Sequence, residues 1–175
     1  MRIAVLGGTG TVGRHVVSAV REGGDEPVVI ARSRGVDLTT GVGLAPALEG
    51  VETVVFVQQT LSRVRVGRAA VVPRMLVQPV AASVVGELLA DTARAAPGGH
   101  LEVGGPEPRQ LTDLARELLR RTGERRLLLT PRLPGRIGRA QSRGALLPGR
   151  QALLRGPTFE EWLAGTSRGS SGATT

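Results

Sequence analysis

Arg2-Ile3-Ala4-Val5-Leu6-Gly7-Gly8-Thr9-Gly10-Thr11-Val12-Gly13-Arg14-His15-Val16-Val17 is the stretch that decides the fold. Ile3 to Leu6 is a short, continuous apolar run that stops at glycines, the pattern of a strand buried on both faces of a parallel sheet. Thr11 to Glu22 reads as a helix, because Val12, Val16, Ala19 and Val20 recur at helical spacing and Gly23-Gly24 ends the run. Val28 to Ala31 is a second buried strand, and Gly35 to Leu38 adds an edge strand or a turn. Leu44 to Leu48 makes a short helix and Thr53 to Val57 the next buried strand. Strand and helix therefore alternate through the first sixty residues, as a parallel sheet demands.

The glycines between the first strand and the first helix carry the chemistry. Gly7 permits a tight turn, Gly10 lets the backbone approach a pyrophosphate, and Gly13 lets helix and strand meet without a Cβ between them. The amides around Thr11 and Val12 then point out of a helix N-terminus, where unpaired donors and the helix dipole favour a phosphate. The expected class is α/β: a Rossmann-type parallel sheet flanked by helices, holding a dinucleotide. The plainer alternative is a glycine-rich turn that only joins a strand to a helix.

About twenty positions after the glycines, the residue at the end of the second strand selects the cofactor. That residue is Arg32, with Ser33 and Arg34 beside it. An acid there would accept from a ribose 2′-hydroxyl, whereas these donors suit a 2′-phosphate. NADP is favoured and NAD stays possible; two solvated arginines on a loop are the alternative. Asp37 either accepts from the adenine amino group or ends an edge strand.

The G-x-x-G-x-x-G spacing within Met1 to Val17 resembles the extended and atypical short-chain dehydrogenase/reductases, especially the NmrA-like NAD(P)-binding group. The resemblance resumes at Val72-Pro73-Arg74-Met75, at Val77-Gln78-Pro79-Val80 and at Gly104-Gly105-Pro106-Glu107, segments similar to the substrate-side part of such proteins. It implies an NAD(P)H-dependent oxidoreductase fold with a small-molecule substrate. Catalytic members of the group carry a Tyr-x-x-x-Lys pair on a helix of their central region. This chain has no tyrosine, and all of its cations are arginine. A complete doubly wound domain would place about 60 to 80 further residues between Thr60 and Arg68. The expectation is thus an incomplete second half: a catalytically impaired or redox-sensing binder, with no catalytic residue assigned. His15, inside the first helix, and His100 read as structural or solvated.

Losing those strands would leave the Thr53 to Val57 strand with an open edge, covered either by the second part of the chain or by a second copy as a homodimer. The expected division is residues 1–60 for the dinucleotide-binding half, 61–164 for a small helical, substrate-side region, and 165–175 for a disordered tail. In the second part, Ser83 to Arg94 reads as a helix and His100 to Val103 as a strand, while Ala69 to Val72 offers one possible short strand. Leu111, Leu114, Ala115, Leu118 and Leu119 make the clearest amphipathic helix, ending at Gly123. Leu127 to Leu129 is a further apolar run, 131–157 looks loop-rich, and Thr158-Phe159-Glu160-Glu161 is a capping box opening a last helix through Trp162.

Composition narrows the partners. With 41% hydrophobic and 22% charged residues the chain is ordinary globular material. It has no cysteine, so disulfides and thiolate metal sites are excluded. No apolar run reaches the roughly 18 to 20 residues of a membrane span, and no signal core opens the chain; the expectation is a cytoplasmic protein without membrane contact. The net charge of +8 is concentrated after residue 60, where eighteen arginines face nine acids. One tryptophan, two phenylalanines and no tyrosine give no stacking platform, which disfavours nucleic acid. An interaction protein whose Arg-rich second part holds an acidic partner is the competing functional expectation.

Overall fold

A computed structural model describes residues 1–56, 65–66, 69–95 and 100–169. In chain order the elements are β1 (Arg2–Leu6), α1 (Gly13–Glu22), β2 (Glu26–Ile30), α2 (Leu44–Ala47), β3 (Thr53–Phe56), β4 (Arg65–Val66), β5 (Ala69–Val71) and β6 (Leu76–Val77). There follow α3 (Ala82–Arg94), β7 (Val103–Gly104), β8 (Arg109–Gln110), α4 (Leu111–Thr122), β9 (Leu127–Leu129), α5 (Gly135–Ser142), β10 (Leu153–Leu154) and α6 (Phe159–Gly169). The protein is mixed α/β, with small parallel sheets and, among the described residues, six α-helices. It divides into two compact units, one from 1–60 with 82–100 and one from 61–81 with 101–175.

The first unit is built on a parallel sheet in the order β2-β1-β3. Ile3, Ala4 and Val5 are completely buried, as the unbroken apolar run requires of a central strand covered on both faces. On one face Ile3, Val5 and Val55 pack with Val16, Val17 and Val20 of α1 and Ala90 of α3. On the other, Ala4, Ile30 and Val36 pack with Leu44, Ala47 and Leu48 around α2. A fully buried Val or Ile contributes about 1.5–3 kcal/mol, so these two clusters outweigh any single surface ion pair.

Helix α3 belongs to this unit, although the sequence division put its residues in the second part. It crosses α1 at Gly86, where a Cβ would meet His15 Cβ at 2.7 Å and Val16 N at 2.9 Å. The Thr53 hydroxyl donates to the Ala93 carbonyl at 3.4 Å, tying α3 to β3. At the end of the sheet where β2 begins, Asp25 accepts from the Met1 amine at 2.8 Å and from Arg94 Nε at 2.6 Å. Arg94 also donates to the Ala19 carbonyl at 3.1 Å, satisfying part of the C-terminal end of α1. The Met1 amine first, and then Arg94, hold the Asp25 carboxyl below its ordinary value, and Asp25 holds the amine above its own.

Beyond β3 no strand pairs among the described residues, and Val54 and Phe56 on its outer face are half or more exposed. The strand ends at Phe56; Val57, expected to belong to it, lies outside the described residues. Gly35 to Leu38 forms a turn and no strand, because Val36 is drawn into the core beside Ile30. Helix α1 begins at Gly13, two residues later than its apolar spacing suggests; Val12 is already helical in φ and ψ but serves as the cap.

The second unit uses shorter pairings. Its sheets are β4-β5-β9, with β5 and β9 parallel, the antiparallel pair β6-β8, and the parallel pair β7-β10. Gly105 and Gln78, both in segments that carry the resemblance, clasp each other: Gln78 Nε2 donates to the Gly105 carbonyl at 2.7 Å. A Cβ at Gly105 would collide with the Pro79 carbonyl, so that position admits no side chain. Helix α4 ends at Gly123 with φ +67°, as its sequence foretells. The expected strand His100 to Val103 is displaced to Val103–Gly104, where β10 pairs with it. Residues 131–157 are less irregular than expected, since α5 forms there with Gly138 packed against the Leu133 carbonyl. Helix α6 runs beyond Trp162 to Gly169, into the segment expected to be disordered; 170–175 lie outside the described residues.

Candidate functional site

The site expected from the sequence is the turn between β1 and α1. Leu6 pairs with Ile30, and the Gly7 N–H donates to the Ile30 carbonyl at 3.0 Å, so the turn starts beside the end of β2. Gly7 takes φ +79°, a left-handed conformation that a side chain disfavours. The chain then folds back, with Gly8 N–H donating to Val5 O at 3.1 Å and Gly10 N–H to Gly7 O at 2.9 Å. A Cβ at Gly13 would strike the Gly7 carbonyl oxygen. Gly8 was not singled out by its spacing, yet it is buried, and a Cβ there would lie 3.0 Å from Val29 Cγ1 and from Val5 O. Its tightness comes equally from the local Val5 carbonyl and from Val29 on the neighbouring strand, and only the second is a non-local contact that a motif does not encode.

Intrahelical bonding begins with Arg14 N–H donating to Gly10 O at 3.1 Å. The N–H groups of Thr11, Val12 and Gly13 have no partner among the described residues, and the cap residue Val12 supplies no side-chain acceptor. Three backbone donors at the positive end of a ten-residue helix thus lack an acceptor among the described residues, with Thr11 exposed, Val12 half-buried and Gly13 buried, an arrangement suited to an oxyanion. Gly10 and Thr11 are exposed.

Position within the sheet adds to this. Because β2 lies on one side of β1 and β3 on the other, the chain reverses its winding at β1. In open α/β sheets, the crevice outside the carboxyl end of a strand at such a reversal is where ligands bind.

Arg32, Ser33 and Arg34 form one 3-10 turn immediately after β2, exposed throughout. The Arg32 guanidinium lies 3.9 Å from Asp37 and is 79% exposed, so its donors are free for another acceptor. Asp37 is committed locally. Its carboxylate accepts from the Thr39 N–H at 2.8 Å, and its carbonyl accepts from Gly41 N–H at 2.8 Å. The Thr39 hydrogen bond, above all, holds its carboxyl below the ordinary value. Asp37 thus organises the turn that follows Val36.

Among the described residues no group of three or more His, Asp or Glu side chains could hold a metal ion, and no helix is long and apolar enough to cross a membrane. Compared with family models, with curated proteins and with solved structures, the chain matches none.

Proposed function

We propose that this chain is an NAD(P)-binding protein with a Rossmann-type first unit, favouring NADP(H), of the atypical NmrA-like kind of short-chain dehydrogenase/reductase. The observation that carries the reading is the set of unpartnered Thr11, Val12 and Gly13 amides, opened by glycines at the end of a central parallel strand. Gly7, Gly10, Thr11, Val12 and Gly13 would hold the pyrophosphate. Arg32, with Ser33 and Arg34, would hold the 2′-phosphate, Asp37 fixing the following turn. Bound dinucleotide would supply hydride chemistry. The chain has no tyrosine and no lysine for the proton-transfer pair of the catalytic members, so the reading is of an impaired oxidoreductase or a redox-sensing binder.

The test is calorimetric titration of NADPH and NADH into the wild type and Arg32→Ala. A charge-assisted contact to the 2′-phosphate predicts a loss of about 1–3 kcal/mol for NADPH and little change for NADH. Equal losses for both ligands would refute the 2′-phosphate assignment. The competing reading, an interaction protein whose arginines hold an acidic partner, is favoured by the excess of arginine after residue 60. It predicts salt-dependent partner binding without dinucleotide affinity.

A further inference from the structure

A cavity of about 620 Å³ lies wholly within the second unit and includes none of the residues assigned to the dinucleotide. It is lined by Arg74, Arg116, Arg132 and Arg139, with Thr112 and Asp113 among its other polar residues. The fold brings these arginines together from four segments. The β5-β9 pairing continues past the strands, with Val72 N–H donating to Leu129 O at 2.9 Å and Arg74 N–H to Pro131 O at 3.1 Å, which sets Arg74 beside Arg132. Leu111 N–H donates to Met75 O at 3.0 Å, so the first turn of α4, with Thr112 and Asp113, opens beside Arg74, and Arg116 follows on the second turn. Arg139 arrives on α5, which can fold back on Leu133 because Gly138 has no side chain.

The charges around this cavity do not balance. Asp113 is taken by Arg116 at 2.6 Å. Arg74, Arg132 and Arg139 have no carboxylate partner among the described residues. Elsewhere in the same unit arginines 109, 120, 121 and 126 are each paired with a glutamate, whereas 125, 136, 143, 150 and 155 have no carboxylate partner among the described residues; what distinguishes this cleft is that three unpaired arginines line one concavity. The start of α4 adds to the positive field, since its cap residue Gln110 makes no side-chain hydrogen bond to it. Convergent like charges lining a concave surface focus potential into it. Planar guanidinium forks also match the oxygens of phosphate and carboxylate groups. The volume falls within the range of about 300–1,000 Å³ usual for small-molecule sites.

We infer that this cleft binds a small molecule carrying two or more oxyanion groups, phosphate or carboxylate. It goes beyond the dinucleotide reading and does not depend on it.

Calorimetric titration of inorganic pyrophosphate and of citrate into the full chain tests it, using the wild type, Arg74→Gln, Arg139→Gln, Arg150→Gln and Gly10→Val. Arg150 is exposed and outside the cavity, so its variant removes the same charge without touching the cleft. The expected result is binding of at least one probe, weakened about tenfold or more by Arg74→Gln and by Arg139→Gln and unchanged by Arg150→Gln, while Gly10→Val removes whatever pyrophosphate the glycine turn takes and leaves the arginine-dependent binding in place. Preference for pyrophosphate or for citrate then tells a phosphorylated ligand from a polycarboxylate. Three results would overturn the inference. They are no binding of either probe, an equal loss in Arg150→Gln, which marks a merely solvated arginine surface, or loss in Gly10→Val alone, which places the anion at the glycine turn.

Discussion

Gly13 stands so close to the carbonyl oxygen of Gly7 that a Cβ on Gly13 would occupy the same space. The first turn of α1 is thereby pressed onto the end of β1, which leaves the Thr11, Val12 and Gly13 amides at the open end of the helix. One close approach thus links packing to the proposed chemistry.

Gly13→Ala should destabilise the first unit by about 1–3 kcal/mol, the usual cost of forcing extra volume into a tight contact. The obstacle is backbone, which cannot swing aside as a side-chain tip can. Urea unfolding followed by circular dichroism measures the change; a loss below about 0.5 kcal/mol, the size of an ordinary surface substitution, would contradict the packing.

The ion pairs of Asp25 predict a stability that falls at both ends of the pH range. Asp25 is held below its ordinary value of 3.8, so its contribution is complete above that pH and is lost as pH falls through the lowered value. The Met1 amine is held above 8.0, so its contribution is complete below that pH and is lost as pH rises through the raised value. Arg94→Met should lower the thermal midpoint at pH 7 and reduce the further fall between pH 5 and pH 2. An acid limb as steep as that of the wild type would exclude the Arg94 contact from the account.

The last helix offers a smaller and separate test. Glu161 N–H donates to the Thr158 hydroxyl at 3.3 Å and Thr158 N–H donates to Glu161 Oε2 at 2.8 Å, a reciprocal capping box. Thr158→Ala should cost about 1 kcal/mol in denaturant unfolding, while Thr158→Ser costs less because its hydroxyl can make the same bond. Equal costs for the two would mean that the cap contributes nothing.

What the sequence disclosed follows from the range of the forces involved. β1, β2, β3, α1, α3 and α4 rest on apolar periodicity within a dozen residues, and the Thr158 box on a four-residue pattern, so all were legible from local order. The two-residue strands β6, β7, β8 and β10 were not, because each exists only through a partner far along the chain, as Val103 does through Leu153. Helix α5 was hidden by its Gly-Arg-rich composition, which has few apolar positions to show a period. At the glycine turn, Gly7 and Gly13 could be read from spacing, whereas part of the constraint on Gly8 comes from Val29 on the neighbouring strand. The arginine cleft was illegible for the same reason: Arg74, Arg116, Arg132 and Arg139 have no common spacing and meet only through the β5-β9 pairing and the fold of α5.

Titration of NADPH into the wild type and Gly10→Val tests the dinucleotide reading most directly. A Cβ at Gly10 has one near neighbour, Gly7 O at 3.1 Å, so the variant should fold with a smaller loss of stability than Gly13→Ala. Its side chain would stand where the diphosphate must approach, and the account predicts an NADPH affinity reduced about tenfold or more, equivalent to at least ~1.4 kcal/mol. An affinity unchanged in Gly10→Val, or no NADPH binding by the wild type at about 1 mM ligand, would contradict it.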